Sequence, residues 1–186
     1  MGVRYFGAAV PRIEDPDLLA GRGRYLDDIH LPGMLHAAFV RSPHAHARIT
    51  GTDSAAASAL PGVAAVLTAA GLGVAGKATP QFAPSPLLAQ NRTQHVLASR
   101  AVHYAGEAIA LVVADTRAIA EDAANLVEVG YEPLAPVAEL AAALDADAPR
   151  AHEGAPDNRV ATLRAKFGDI DRVFRSAAHV FRERII

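Results

Sequence analysis

The stretch AIALVVADTRAIAEDAANLVEVGYEP, residues 108–133, decides the fold that this sequence predicts. Its first seven residues, 108–114, form a continuously apolar run, which favours a central strand buried on both faces. Asp115 or Thr116 is expected to cap a following helix, because a side-chain oxygen there accepts from free backbone N–H groups. Residues 127–134, VEVGYEPL, then predict a second strand.

The helix between these strands is predicted to be amphipathic. It runs to about Leu126, and its apolar residues follow the spacing i, i+3, i+4 and i+7 at Ala120, Ala123, Ala124 and Val127. Residues at this spacing share one helix face, so we expect that face to pack on a sheet.

A second unit of the same kind precedes this stretch. Asp53 or Ser54 is expected to cap a short alanine-rich helix, and Pro61-Gly62 is expected to end it. The elements predicted here are strands at 35–40, 46–50 and 63–69, with the helix at 54–60. Together the two βαβ-like units predict an α+β protein built on mixed sheets.

The parts outside the two units predict less regular structure. The first twenty residues are expected to form an extended arm, because Pro11 and Pro16 bias the residues before them away from helix. Residues 70–100 carry several prolines and predict a loop, and residues 136–160 predict a connector.

The last segment, residues 161–186, predicts a helix followed by a strand. Asp169 is expected to cap the helix, whose apolar face comprises Ile170, Val173, Phe174 and Ala177. HVFRERII, residues 179–186, predicts an apolar strand with no turn after it. Such a strand is expected to be completed by a partner or by further chain, or else to be tucked into its own sheet.

Composition excludes several classes of function. The chain has 186 residues, a formal net charge of −2 and no cysteine, so it holds no disulfide, zinc knuckle or thiolate-bound iron–sulfur cluster. A single-stranded nucleic-acid platform is disfavoured by the absence of tryptophan and the 5% aromatic content. The sequence shows no apolar leader region and no apolar run of membrane-spanning length, so we expect a soluble, cytoplasmic protein.

GLGVAGKATP, residues 71–80, is a near match to two nucleotide-binding motifs. Its glycines and Lys77 fit the spacings G-x-x-x-x-G-K and G-x-G-x-x-G. However, Ala78 occupies the position of the magnesium-binding hydroxyl, and Pro80 prevents the helix that both motifs require. The segment is therefore predicted to be a surface loop.

Two further clusters are candidate sites. His44 and His46 lie two residues apart and share a strand face, as two metal ligands do, and His36 joins them only if the fold brings it close. The alternative is a histidine hydrogen-bonded to backbone near Pro43.

Asp27-Asp28 beside Arg22 and Arg24 resembles a paired-carboxylate site. Adjacent carboxylates on an extended chain point to opposite faces, so turn capping and surface ion pairs are the favoured role. No G-x-S-x-G elbow supports a serine triad. Residue chemistry by itself therefore predicts no active site.

Ordered motifs across the chain nevertheless resemble one enzyme family. They match the large, molybdenum-bearing subunit of the xanthine dehydrogenase, aldehyde oxidase and carbon monoxide dehydrogenase family. The matching residues are Arg12, Glu14-Asp15, Leu18-Leu19, Gly21-Arg22-Gly23, Tyr25, Asp27-Asp28-Ile29, Pro32-Gly33-Met34-Leu35-His36-Ala37, Phe39-Val40-Arg41-Ser42-Pro43, Ala45-His46-Ala47, Pro61-Gly62-Val63, Gly106-Glu107, Val113-Ala114, Tyr131-Glu132-Pro133-Leu134 and Gly168-Asp169. The opening RIEDPDLLAGRGRYLDDI is more similar to the bacterial carbon monoxide and aldehyde dehydrogenases than to animal xanthine oxidases.

The resemblance implies a domain order. Residues 1–20 would be an N-terminal arm, 21–135 an α/β hammerhead domain and 136–160 a connector. Residues 161–186 would be the truncated start of the molybdopterin-binding domain.

The resemblance also implies an activity and its cofactors. Enzymes of this family hydroxylate an aldehyde or N-heterocycle, or oxidise carbon monoxide, with oxygen taken from water. The molybdopterin cofactor would be bound by the remainder of the large subunit, and FAD and iron–sulfur clusters by partner subunits. The family's pterin-binding loops and catalytic glutamate lie far downstream, so no catalytic, cofactor-binding or metal residue is assigned to this chain. The chain alone is expected to be an inactive scaffold. The alternative hypotheses for the chain are a stand-alone hammerhead adaptor or assembly module and a small metalloenzyme built on His44 and His46.

Overall fold

The computed structural model of the chain describes residues 7–80, 85–90 and 92–183. Its elements in chain order are α1 (Asp15–Leu19), β1 (His36–Arg41), β2 (Ala47–Asp53), α2 (Ala55–Ala59), β3 (Val63–Thr68), β4 (Ala101–Val102), β5 (Ala108–Ala114), α3 (Arg117–Asn125), β6 (Glu128–Pro133) and α4 (Ile170–Ser176). Short 3-10 turns lie at Leu26–Asp28, Gly73–Gly76 and Ala142–Leu144. No helix in the described ranges is long and apolar enough to span a membrane.

The strands form two three-stranded sheets. The first sheet has the order β1-β5-β3 and the second has the order β4-β2-β6. Every strand pair in both sheets is antiparallel. The predicted α+β class is confirmed, but the sheets are antiparallel and not mixed.

The predicted central strand is confirmed as β5. It lies between β1 and β3, and Ala110, Val112 and Ala114 are completely buried. Helices cover the face of Ala110 and Val112, whereas on the other face Ile109 is buried but Leu111 and Val113 are only partly buried, so burial on both faces is confirmed only in part.

Each helix of the two βαβ-like units joins one sheet to the other. β2 belongs to the second sheet and β3 to the first, whereas β5 belongs to the first and β6 to the second. The two strands that flank the helix of each unit therefore lie in different sheets. Both edges of β5 are already occupied by antiparallel neighbours, so the chain leaving α3 cannot pair beside it.

The core of the first sheet is built largely from alanine. Ala57 of α2 and Ala123 of α3 pack with Ala110 and Val112 of β5, and Val127 closes the cluster. The small side chains let both helices lie close to the strands, which confirms the predicted packing face of α3.

The predicted side-chain caps are confirmed at α3 and α4, whereas Ser54, the N-cap residue of α2, makes no side-chain cap hydrogen bond. The side chain of Thr116 accepts a hydrogen bond from the backbone N–H of Ile119 at 3.2 Å. Asp53 accepts from the N–H of Ala55 at 2.9 Å, and Asp169 accepts from the N–H of Arg172 at 2.9 Å.

Three local predictions differ from the structure. The described part of the N-terminal arm contains α1, because Pro16 lies in the first turn, where its missing N–H costs nothing. The two-residue strand β4, which directly follows the predicted loop at 70–100, has no counterpart among the predicted elements. Residues 179–183 form no strand, since no described neighbour pairs with them, and residues 184–186 lie outside the described ranges.

Candidate functional site

The near-match to a nucleotide-binding motif folds as a doubled-back loop, as predicted. After the 3-10 turn, Ala78 forms an isolated antiparallel bridge with His95, and Thr79 donates its backbone N–H to the carbonyl of Gln94. The glycine at 76 has a packing role, because a Cβ atom there would lie 2.5 Å from the carbonyl oxygen of Ala69. No phosphate-facing helix begins in this segment.

The predicted pair His44 and His46 is split between two environments. The His44 ring lies edge-on to the ring of Tyr131, with centroids 4.8 Å apart. His46 instead donates a hydrogen bond from its Nδ1 atom to the carbonyl oxygen of Ala135 at 2.9 Å, which matches the backbone-bonded alternative. His36 lies on β1 in the other sheet. No cluster of three metal-ligating side chains occurs in the part of the chain that the structure describes.

Asp27 and Asp28 do not form a carboxylate pair. The carboxylate of Asp28 accepts from the backbone N–H of Tyr25 at 2.9 Å, and Asp27 forms an ion pair with Arg117 at 2.9 Å. Arg22 pairs with Asp17 at 3.1 Å. Turn capping and surface ion pairing are therefore confirmed as their roles.

The structure assembles a different group, which we call the imidazole cluster: His46, His103 and His152. The antiparallel register of β2 and β4 pairs Ala47 with Val102, so the residues just beyond this pair, His46 and His103, lie opposite each other. Their ring centroids are 5.9 Å apart, and those of His103 and His152 are 4.4 Å apart. The cluster thus joins the second sheet to the connector.

The connector is folded back on itself and tied to the loop before β4 by side-chain hydrogen bonds to its backbone. Asn158 accepts from the N–H of Ala151 at 2.8 Å and donates to the carbonyl of Pro149 at 2.7 Å. Arg92 donates to the carbonyl of Glu153 at 3.3 Å. These contacts fix the backbone on both sides of His152.

Glu107 is the buried carboxylate behind the imidazole cluster. It accepts the backbone N–H of His103, and its Oε2 atom lies 3.6 Å from the Nδ1 atom of the same residue. Burial acts to raise the pKa of Glu107, yet hydrogen bonds from His103 and Tyr104 and the charge of His103 hold it below the usual value. Glu107 therefore orients His103.

The pKa of His152 is lowered. Burial is the largest cause, and the charges of His103 and Arg92 act in the same direction. His152 therefore stays neutral at a pH at which a free histidine is partly protonated.

Sequence reasoning did not single out His103 or His152. They are separated by 49 positions in the chain, and only the β2–β4 register and the docked connector bring them together. The spacing of His103 and Glu107, with Gly106 between them at φ 89°, is a local signal of a turn that joins the two side chains.

We expect Glu107→Gln to lower the free energy of unfolding by about 1–2 kcal/mol at neutral pH, because a buried charge-assisted acceptor becomes neutral. The carboxylate pKa is lower in the folded protein than its ordinary value of 4.5. Its contribution is therefore present above that value and lost as the pH falls through the folded pKa. Urea unfolding across this range should show the variant and the unchanged protein converging in acid. An equal difference at every pH would contradict the assignment, and Glu139→Gln, on an exposed carboxylate, is the control.

No buried polar side chain of the described residues is left unpaired for a molybdopterin cofactor. The buried polar side chains are those of Ser42 and Glu107, and each is satisfied within the chain: Ser42 donates to the carbonyl of His44 at 2.9 Å. Within the described ranges, no buried side-chain nitrogen or oxygen lacks a partner. Neither of these buried side chains has a free polar atom with which to bind a pterin or a metal ion.

Comparison with known proteins gives the family. The sequence profile described as "aldehyde oxidase and xanthine dehydrogenase, a/b hammerhead domain" matches residues 20–135. The chain is 44% identical over 179 residues to the nicotine 6-hydroxylase large subunit of Paenarthrobacter nicotinovorans, covering 94% of this chain and 21% of that protein. It is 45% identical over 151 residues to the carbon monoxide dehydrogenase large chain of Afipia carboxidovorans, covering 81% and 18%.

A solved structure extends the similarity beyond the profile match. The fold superposes on quinoline 2-oxidoreductase from Pseudomonas putida 86 with a TM-score of 0.79 and 43% identity, covering 95% of this chain and 22% of that one. The chain therefore spans about a fifth of the length of the proteins it matches. It belongs to the aldehyde oxidase and xanthine dehydrogenase family, and residues 20–135 are its α/β hammerhead domain.

Proposed function

We propose that this chain is the N-terminal scaffold portion of the molybdenum-binding large subunit of a cytoplasmic molybdenum hydroxylase. In the complete enzyme the molybdopterin cofactor supplies the redox centre at which an aldehyde, an N-heterocycle or carbon monoxide is oxidised with oxygen from water. Similarity to the nicotine- and carbon monoxide-oxidising relatives supports this class of activity. FAD and iron–sulfur clusters are assigned to partner subunits, and a chain without cysteine holds no thiolate cluster itself.

The exposed segment from residue 159 to residue 183 carries this proposal. Every residue in this range is exposed to solvent. On α4 the exposed fractions are 55% for Ile170, 61% for Val173 and 58% for Phe174, and all three lie on one helix face. A seven-residue helix has little stability in water without a packing partner, so this face requires a surface to cover it.

The scaffold role divides into two parts. The hammerhead domain, residues 21–135, supplies a self-contained fold whose two clusters of buried residues lie within it. Residues 161–183 then present an apolar helix face to the molybdopterin-binding domain. Under this division the chain binds and orients the rest of the large subunit and carries no catalytic residue.

The test is complementation in two pieces. The chain is co-expressed with the nicotine 6-hydroxylase large subunit from which the matching N-terminal fifth has been deleted. We expect the two pieces to co-purify, and the larger piece to retain molybdenum, measured by mass spectrometry, only when the chain is present. A larger piece that loads molybdenum equally well alone, or that never binds the chain, would overturn the scaffold role in favour of a stand-alone adaptor.

A further inference from the structure

A cavity of about 550 Å³ opens beside the imidazole cluster, between the connector and the segment leading into β4. Arg92, His95 and Arg100 line it from that segment, and His103 lines it from the end of β4. His152 lines it from the connector. Its volume is in the range of small-molecule sites in proteins.

Five of the twelve residues that line this cavity are arginines or histidines, which are cationic or able to become so. Arg92 and Arg100 are charged at every physiological pH, and each neutral imidazole carries one N–H donor. Glu153 is the carboxylate among the lining residues, and its side chain is 91% exposed and lies 3.9 Å from Arg48. Glu107 offsets charge at His103 and His152, but among the described residues neither Arg92 nor Arg100 forms an ion pair with a carboxylate.

The pKa of His152 is lowered in part by the same positive charges. After burial, the causes that lower its pKa are the charges of His103, Arg92 and His46, while Glu107 acts in the opposite direction. The protonated form of a histidine held among like charges is stabilised when an anion enters the cavity.

Arg100 is free to meet such an anion. Among the described residues, no hydrogen bond or ion pair engages its guanidinium group, and only its carbonyl is bonded, to the N–H of Ile49 at 2.8 Å. Arg92 uses one nitrogen for the connector and keeps its other donors. Two guanidinium groups with adjacent imidazoles form a donor set suited to phosphate oxygens.

We propose that this cavity binds the phosphate group of a small phosphorylated ligand. Arg100 and Arg92 would pair with the phosphate oxygens, and His103 and His152 would donate from their rings. This inference does not depend on the scaffold role, because every group that it uses belongs to this chain.

The probe is inorganic pyrophosphate, added at constant ionic strength to the complete 186-residue chain, with the histidine ring signals followed by NMR across a pH titration. A bound anion favours the imidazolium form, so the titration midpoint of His152 should rise by about one unit, a tenfold gain in proton affinity. By linkage, pyrophosphate should bind about tenfold more tightly once His152 is protonated. An unmoved midpoint, or an equal shift with sodium chloride, would overturn the proposal.

Arg100→Gln separates binding from folding, because this side chain makes no described contact that holds the connector. We expect it to weaken pyrophosphate binding by about tenfold with unchanged thermal unfolding. Arg164→Gln removes an equal charge from the exposed segment outside the cavity and should leave binding unchanged. Equal weakening by the two variants would indicate only a general charge effect and would contradict the assigned site.

Discussion

Replacing Ile109 with alanine should lower the free energy of unfolding by about 2–5 kcal/mol. Ile109 is 1% exposed and lies at the start of β5, opposite in face to the neighbouring Ala110. It packs with Ala47 and Val102 of the second sheet, whereas Ala110 packs with the helices on the first sheet. The side chain of Ile109 therefore joins the two sheets, and its truncation leaves a cavity where they meet.

The small size of the core makes this effect large. The largest fully buried side chains are Leu97, Ile109, Val102 and Val112, and the other members of the two buried clusters are alanines and Val127. Alanine contributes little apolar area, so each large side chain carries a greater share of the burial free energy. Few neighbours can move to fill the space that one of them leaves.

The matched control is Leu111→Ala, two positions further along the same strand and on the same face. Leu111 is only partly buried and belongs to neither cluster. We therefore expect Leu111→Ala to lower the free energy of unfolding distinctly less than Ile109→Ala does. Urea unfolding of both variants measures the difference directly. Equal losses would show that Ile109 does not join the two sheets.

The sequence predicts where helices and strands form better than it predicts which strands pair in a sheet. β5 and α3 are predicted because their apolar patterns are long, and the Thr116 cap because its hydroxyl directly precedes the helix. The assignment of β3 and β6 to different sheets is not predictable, since an apolar strand has the same local pattern in either sheet. The two-residue strand β4 is shorter than any periodicity can reveal.

The candidate site shows the same limit more strongly. The pair His44 and His46 attracts attention because the residues lie only two positions apart in the chain, yet the fold directs them to different neighbours. The imidazole cluster depends instead on strand register and on a connector that Asn158 shapes internally and Arg92 ties to the preceding loop. Contacts between distant segments of this kind have no local signature in a single sequence.

Phe174→Asp is expected to weaken association with the complementary piece of the large subunit by about 100- to 1,000-fold, the effect of losing a buried phenylalanine from an interface. The 58% exposure of Phe174 means that the isolated chain gains little from this side chain, so its unfolding should be unchanged. Isothermal titration of one piece with the other measures the affinity.

The control for this variant is Arg172→Gln, which changes the net charge by the same amount on the polar face of α4. If α4 docks through its apolar face, this control should bind with nearly unchanged affinity, because a solvent-exposed arginine contributes little. Equal loss in both variants would indicate that overall charge governs association. Unchanged binding by Phe174→Asp would place the interface elsewhere on the chain and remove the observation on which the scaffold proposal rests. A helix with three apolar residues on one face and arginines on the other distinguishes these outcomes, because only burial of the apolar face makes the two substitutions unequal.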